Sequence, residues 1–183
     1  MNKKVVLLLI SLLWITLAVG LVKSKEFLLK NGKSVLLETL PADPRDLLRG
    51  DYVILNYKIN TLDLNLVRSE KSSYNPGEKV FVRLEPRGRY WGAVAVQTKQ
   101  DFQKQGDPAV YIKGRVKYYS HFKENSKMTV DYGIGSYFVP EGEGKEIERN
   151  IGRTKSAVDV EVVVGDSGLA VIKDVVVNRR SIK

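Results

Sequence analysis

The 183-residue chain has no cysteine and a single histidine. Without cysteine there is no disulfide staple, no thiolate metal site, no cysteine nucleophile and no lipidated N-terminal cysteine. The redox compartment does not follow from that absence. Any histidine-dependent mechanism rests on His121, whose polar setting, Tyr119-Ser120-His121-Phe122-Lys123, reads as a surface loop. Internal repeats and low-complexity tracts are also missing. The acids never fall into a calcium-loop spacing, and the cations form no arginine-rich or aromatic-interleaved run. These absences predict no bound metal, no cofactor and no nucleic-acid partner.

What is present begins with one long uncharged run. Val5 to Val22 reads VVLLLISLLWITLAVGLV, with Ser11 and Thr16 its only polar side chains. As a helix it spans ~27 Å, close to the hydrocarbon thickness of a bilayer. Ser11 and Thr16 can bond to carbonyls one turn back, which offsets most of their desolvation cost. A cleaved signal peptide is the competing reading, because Lys3 and Lys4 form a basic start and Ala18-Val19-Gly20 offers small residues at a cleavage site. The run outlasts the usual apolar region of a leader and continues through Leu21 and Val22, so retention is favoured. Lysines on both flanks leave the positive-inside count undecided, but a very short basic N-terminus ordinarily stays in the cytoplasm. The expectation is therefore a single-pass protein of the cell membrane: residues 1–25 as anchor with flanks, and residues 26–183 as one extracytoplasmic domain.

That domain has the composition of a folded protein, the whole chain being 43% hydrophobic and 28% charged. Of the formal charge of +9, Lys3, Lys4, Lys23 and Lys25 belong to the flanks of the apolar run; the remaining 26 cations face 21 acids. A modest basic excess suits anionic headgroups or an acidic polymer. The partners expected are the bilayer, through the N-terminal helix, and another integral membrane protein or an envelope component.

Periodicity predicts strands more often than helices, hence a mainly β fold: a single antiparallel sheet, barrel-like or sandwich domain, preceded by one transmembrane helix. Val53, Leu55, Tyr57 and Ile59 alternate with polar or outward positions. Val80, Val82 and Leu84 do the same before a Pro86-Arg87-Gly88 turn, and Tyr90 to Gln97 returns as a hairpin partner. Tyr111 to Tyr119 and Met128 to Val139 are two further strand candidates. Val158 to Val162 places valines on one side and acids on the other, Gly165 to Gly168 turns, and Leu169 to Val177 comes back. Asn31-Gly32 suggests that Phe27 to Glu38 is a hairpin, and Glu146 to Asn150 a short surface helix.

The most distinctive stretch runs from Leu40 to Tyr57. Asp43, Pro44, Asp46 and Gly50 have the layout of one capped helical turn, after which Gly50-Asp51 turns into a strand. Alternation puts Leu55 and Tyr57 inward with Val53, leaving Asp51 and Tyr52 for recognition. Gly50-Asp51-Tyr52, Leu55 and Tyr57 match the signature of the GDYXXLXY family of uncharacterised membrane-anchored bacterial proteins, which this chain resembles over most of the exported part. Asp43-Pro44-Arg45-Asp46 and Tyr137 to Gly142 look like further elements of that pattern. The resemblance implies membrane anchoring but no substrate. Arg45, Arg49, Asp51 and Tyr52, beside Tyr137 and Glu141, form the candidate binding surface; the plain alternative is a turn followed by a core strand.

An enzyme reading comes from a second resemblance. Arg49 to Val53, Tyr111-Ile112-Lys113-Gly114 and Tyr137-Phe138-Val139-Pro140 are similar, in order, to motifs of type I signal peptidases. That likeness implies a serine–lysine hydrolase with Ser34 as nucleophile and Lys113 as neutral base, or a degenerate, inactive relative. This chain departs from the pattern at the serine motif and at the box following Tyr-Phe-Val, where Pro140-Glu141-Gly142 stands. A third possibility is sugar or anionic-lipid binding through Trp91 and Tyr90, against the commoner fate of a strand tryptophan as core.

Overall fold

A computed structural model describes residues 3–40, 48–49, 52–99, 109–122, 125–138 and 159–176. Helix α1 spans Lys3–Asn31. It has no Pro, and its apolar residues run round every face, so nothing in the sequence gives it a side to bury in water. Thr16 Oγ1 donates to the Leu12 carbonyl at 2.8 Å, as its place in an apolar helix requires. The helix ends where Asn31 Nδ2 donates to the Phe27 carbonyl and the Gly32 N–H to the Leu28 carbonyl. Asn31-Gly32 is thus a helix stop and not the hairpin turn expected of Phe27 to Glu38: apolar continuity from α1 outweighs the local turn signal.

Twelve strands follow among the described residues: β1 Lys33–Glu38, β2 Leu48–Arg49, β3 Tyr52–Ile54, β4 Thr61–Asp63, β5 Arg68–Ser69, β6 Lys79–Arg87, β7 Tyr90–Gln97, β8 Val110–Phe122, β9 Asn125–Asp131, β10 Ser136–Phe138, β11 Asp159–Val164 and β12 Ala170–Val176. A 3-10 turn at Lys58–Asn60 lies before β4. They form three sheets, ordered β1-β11-β12, β10-β3-β2 and β4-β9-β8-β6-β7-β5. The fold is mainly β, as the periodicity predicts, but three sheets replace the single continuous one, and none of them closes into a barrel. Pairing is antiparallel except for the short β5, which lies parallel to β7.

The sheets share one core. Val35 and Leu37 of β1, Val160, Val162 and Val164 of β11, Val80, Val82 and Leu84 of β6 and Ile112 of β8 all belong to one buried cluster. The alternation at Val53, Leu55, Tyr57 and Ile59 puts all four in it, although only Tyr52–Ile54 is strand. Met128 to Val139 is not one strand: Gly133 takes φ +74°, a conformation costly for other residues, and the chain leaves β9 for β10 in another sheet. The β6–β7 hairpin turns at Gly88-Arg89, one step later than expected, with Gly88 at φ +63°. The β11–β12 hairpin forms around Gly165 to Gly168 as expected, with the Gly165 N–H donating to the Leu169 carbonyl at 2.9 Å.

Where α1 meets the sheets, the approach is close. Leu28 sits beside the β11–β12 turn, and a Cβ on Gly165 would lie 2.5 Å from Leu28 Cδ1. A Cβ on Gly32 would lie 2.5 Å from Val163 Cγ1. Neither site has room for a side chain, so the two glycines set how tightly the helix end seats on the hairpin.

Candidate functional site

The signature segment is built into the β10-β3-β2 sheet. Backbone register sets Arg49 of β2 opposite Tyr52 of β3, Tyr52 opposite Phe138 of β10, and Tyr137 opposite Val53. The sheet thus aligns the Arg49, Tyr52 and Phe138 positions in one row and sets the Tyr137 position in the next, on the core-facing side with Val53. Tyr137 is half-buried and packs on the core, whereas Phe138 is exposed on the edge strand. Arg45, Asp51 and Glu141 lie outside the described residues, as do the short helix at Glu146–Asn150 and most of the expected helical turn at Asp43–Gly50, whose Leu48–Arg49 is strand β2 instead.

Two of the signature residues have a clear structural task. Leu55 is buried and donates its N–H to the Gly135 carbonyl at 2.9 Å. Tyr57 is fully buried, and its hydroxyl donates to the Ile134 carbonyl at 2.8 Å. Burial pushes the phenol pKa far above its usual value, so Tyr57 is a permanent donor. Tyr132 repeats the device, donating to the Ile59 carbonyl at 2.7 Å from an equally buried, upward-shifted phenol. The two tyrosines cross-link the irregular stretch after β3 to the chain between β9 and β10, capping carbonyls that no strand pairs. The spacing Leu-x-Tyr is therefore a packing code in its second half.

The proposed serine–lysine pair is not assembled. Ser34 lies on β1, and its hydroxyl donates to Glu161 Oε1 at 2.5 Å. Lys173 Nζ holds the same oxygen at 2.8 Å. The lysine and the serine hydroxyl draw the Glu161 pKa down, which makes it a poor proton acceptor. Lys113 stands on β8, where its N–H donates to the Gly168 carbonyl at 2.8 Å. Among the described residues no hydrogen bond joins Ser34 to Lys113. His121 is exposed but lies on β8 and not in a loop; its Nδ1 is 2.6 Å from Ser126 Oγ on the paired strand β9. That pair sits on an open hairpin, and among the described residues no carboxylate bonds the other ring nitrogen to supply the orienting third group of a triad. Among the described residues no three His, Asp or Glu side chains cluster as metal ligands.

Among the described residues, three concavities border the sheets. An open cleft of about 840 Å³ is lined by Arg68, Glu70, Arg83, Glu85 and Lys99. Its charges are largely spent internally: Arg83 Nη2 lies 3.0 Å from Glu85, and Glu70 accepts the Thr98 N–H at 2.6 Å. A second groove, about 380 Å³, borders Trp91 and Tyr90. Trp91 is half-buried on the core with the Lys33 ammonium 5.2 Å from its ring centre, so that face is taken. The Tyr90 hydroxyl donates to Asp159 Oδ1 at 2.7 Å, and Arg89 pairs with the same carboxylate. The third, about 480 Å³, lies between the end of α1 and the β11–β12 turn. Sequence reasoning missed it because its two walls are more than a hundred residues apart; the helix stop at Asn31-Gly32 was the available signal.

A long apolar N-terminal helix joined to a mainly β body of three sheets defines the class. Within it, the GDYXXLXY protein family model matches residues 14–175, and the chain belongs to that family. No curated protein and no solved structure matches it.

Proposed function

We propose that the chain is a membrane-tethered, non-catalytic binding module, held by α1 with its β body outside the cytoplasm and serving a membrane protein or envelope component. The observation carrying this reading is the exposure of α1. It is long and apolar enough to cross a bilayer, and no residue of it is buried against the sheets. The core is complete without it, so the helix is no core element; water would leave its whole apolar surface unpaid, and lipid supplies the missing solvent. The short basic start, Lys3-Lys4, favours a cytoplasmic N-terminus.

The absence of an assembled nucleophile and base among the described residues favours binding over turnover. The surface offered is the three-stranded β10-β3-β2 sheet at the row of Arg49, Tyr52 and Phe138 positions, next to Tyr137, with Arg45, Asp51 and Glu141 adjoining it in sequence. Photo-crosslinkers at Phe138 and Arg49 in the intact membrane protein are expected to trap one discrete envelope or membrane protein. A crosslinker at Lys117, on β8, serves as control. Turnover of an envelope substrate by the full chain, with no product at either position, would overturn this reading.

A further inference from the structure

The groove between α1 and the β11–β12 turn sits at a height the helix itself sets. The apolar run ends at Val22, and α1 continues rigidly to Asn31, ~13 Å further along the axis. The headgroup layer on each side of the hydrocarbon is roughly 5–8 Å deep. Ser24 and Lys25, at the lower end of the groove, fall within that layer, and Leu28 near its upper limit. The opposite wall is the hairpin turn, Gly165 to Leu169, locked against Leu28 by the Gly165 and Gly32 contacts. The sheet body therefore cannot stand off on a loose stalk; its nearest turn is brought down to lipid level.

The chemistry of the groove suits that level. Phe27 is 69% exposed on one side and Leu169 is 56% exposed on the other, although neither belongs to the transmembrane run. Ser24 and Ser167 add hydroxyls. Lys25 and Asp166 line it, and the stretch from Lys23 to Lys33 that follows the apolar run carries Lys23, Lys25, Lys30 and Lys33 against the single acid Glu26. A net positive stretch directly after the apolar run, with exposed apolar side chains at its far end, matches the surface of a phospholipid layer whose headgroups are anionic.

We infer that this groove seats anionic phospholipid headgroups, with Leu169 and Phe27 in the outer part of the headgroup layer, so that the β11–β12 turn rests on the bilayer. The inference rests on the anchoring reading above. The full chain has no cysteine, so single cysteines at Ser11→Cys, Leu169→Cys and Lys58→Cys can each carry one fluorophore. Lys58 pairs with Glu38, across from Asp159, at the opposite end of the β1–β11 ladder. The labelled chain is placed in vesicles of phosphatidylcholine alone or with phosphatidylglycerol, each doped with headgroup-nitroxide or acyl-chain-nitroxide lipid.

The label at 169 is expected to be quenched by the headgroup nitroxide several-fold more than the label at 58, and more strongly with phosphatidylglycerol present. The label at 11 should be quenched by the acyl-chain nitroxide in both. If 169 matches 58 while 11 is quenched, the lipid seat is overturned and anchoring stands; if 11 is unquenched, anchoring itself fails. Equal quenching at 169 in both lipids overturns the anionic assignment. Shielding at 169 in native membranes but not in lipid vesicles would assign the groove to a protein instead.

Discussion

Leu84 and Leu8 are the same side chain in opposite circumstances. Leu84 on β6 is fully buried beneath the sheets, and Leu8 on α1 is 69% exposed. The difference extends to both neighbourhoods: Val80, Val82 and Ile112 share Leu84's burial, whereas Leu7, Leu12 and Leu13 share Leu8's exposure. One polypeptide thus carries two apolar regions that the hydrophobic effect treats separately. The sheets bury theirs against each other, whereas the helix, long and apolar enough to cross a bilayer, buries none of its own. Stability of the body and residence in the membrane should be separable by mutation.

The strongest break of that comparison is a pair of charges in the helix. Leu12→Arg with Leu13→Arg should cost roughly 2.5–3.5 kcal/mol each near the centre of the apolar run on an insertion scale. Carbonate extraction is expected to move the double variant out of the membrane fraction, while the urea midpoint of the β body stays put. The mirror image is Leu84→Ala, which opens a cavity among fully buried neighbours and should destabilise the body by ~2–5 kcal/mol. Its membrane fractionation should be unchanged. If either variant shifts both measurements together, the two regions are coupled more tightly than the joint at Leu28 suggests.

The sequence read well where period alone decides. Val80, Val82 and Leu84, or Val160 and Val162, announce their buried face because alternation is a local property. It read poorly where a distant partner decides. Alternation places Asp159 with the outward acids of β11, yet it is buried, because Arg89 and Tyr90 of the β6–β7 hairpin meet it from another sheet. The break between β9 and β10 depends on Gly133 and on which sheet each half joins, and the second is a tertiary fact. At the candidate site, the inward role of Leu55 and Tyr57 was legible, but the carbonyl that Tyr57 caps was not, since Ile134 lies 77 residues away. Ser34 and Lys113 were linked by motif order alone, and the fold gives the serine a carboxylate partner.

Tyr57→Phe tests the signature's structural half at smaller scale. Removing the hydroxyl leaves ring packing intact and strands the Ile134 carbonyl in a buried setting, a loss of about 1–3 kcal/mol. The urea midpoint should fall without a change in slope, since the area exposed on unfolding is nearly the same. Tyr132→Phe, which strands the Ile59 carbonyl, should behave alike. A midpoint equal to the parent's would mean that water takes over the cap, and the tyrosines would then lose their claim as cross-links.

The smallest effect belongs to the Ser34–Glu161–Lys173 cluster on the outer face of the β1–β11–β12 sheet. Lys173 and the Ser34 hydroxyl stabilise the Glu161 carboxylate, so its folded pKa lies below the unfolded value of ~4.3. A group that binds protons more weakly when folded makes acid favour the unfolded chain. Its contribution is whole above the unfolded value and disappears as pH falls through the folded one. Because the ammonium is half exposed, the pair should contribute less than ~1 kcal/mol. Glu161→Gln should therefore cost a little stability near pH 7 and nothing once the parent's carboxylate is protonated, so the two denaturation curves converge in acid. Convergence at high pH instead would reverse the sign and remove the cluster as a source of stability.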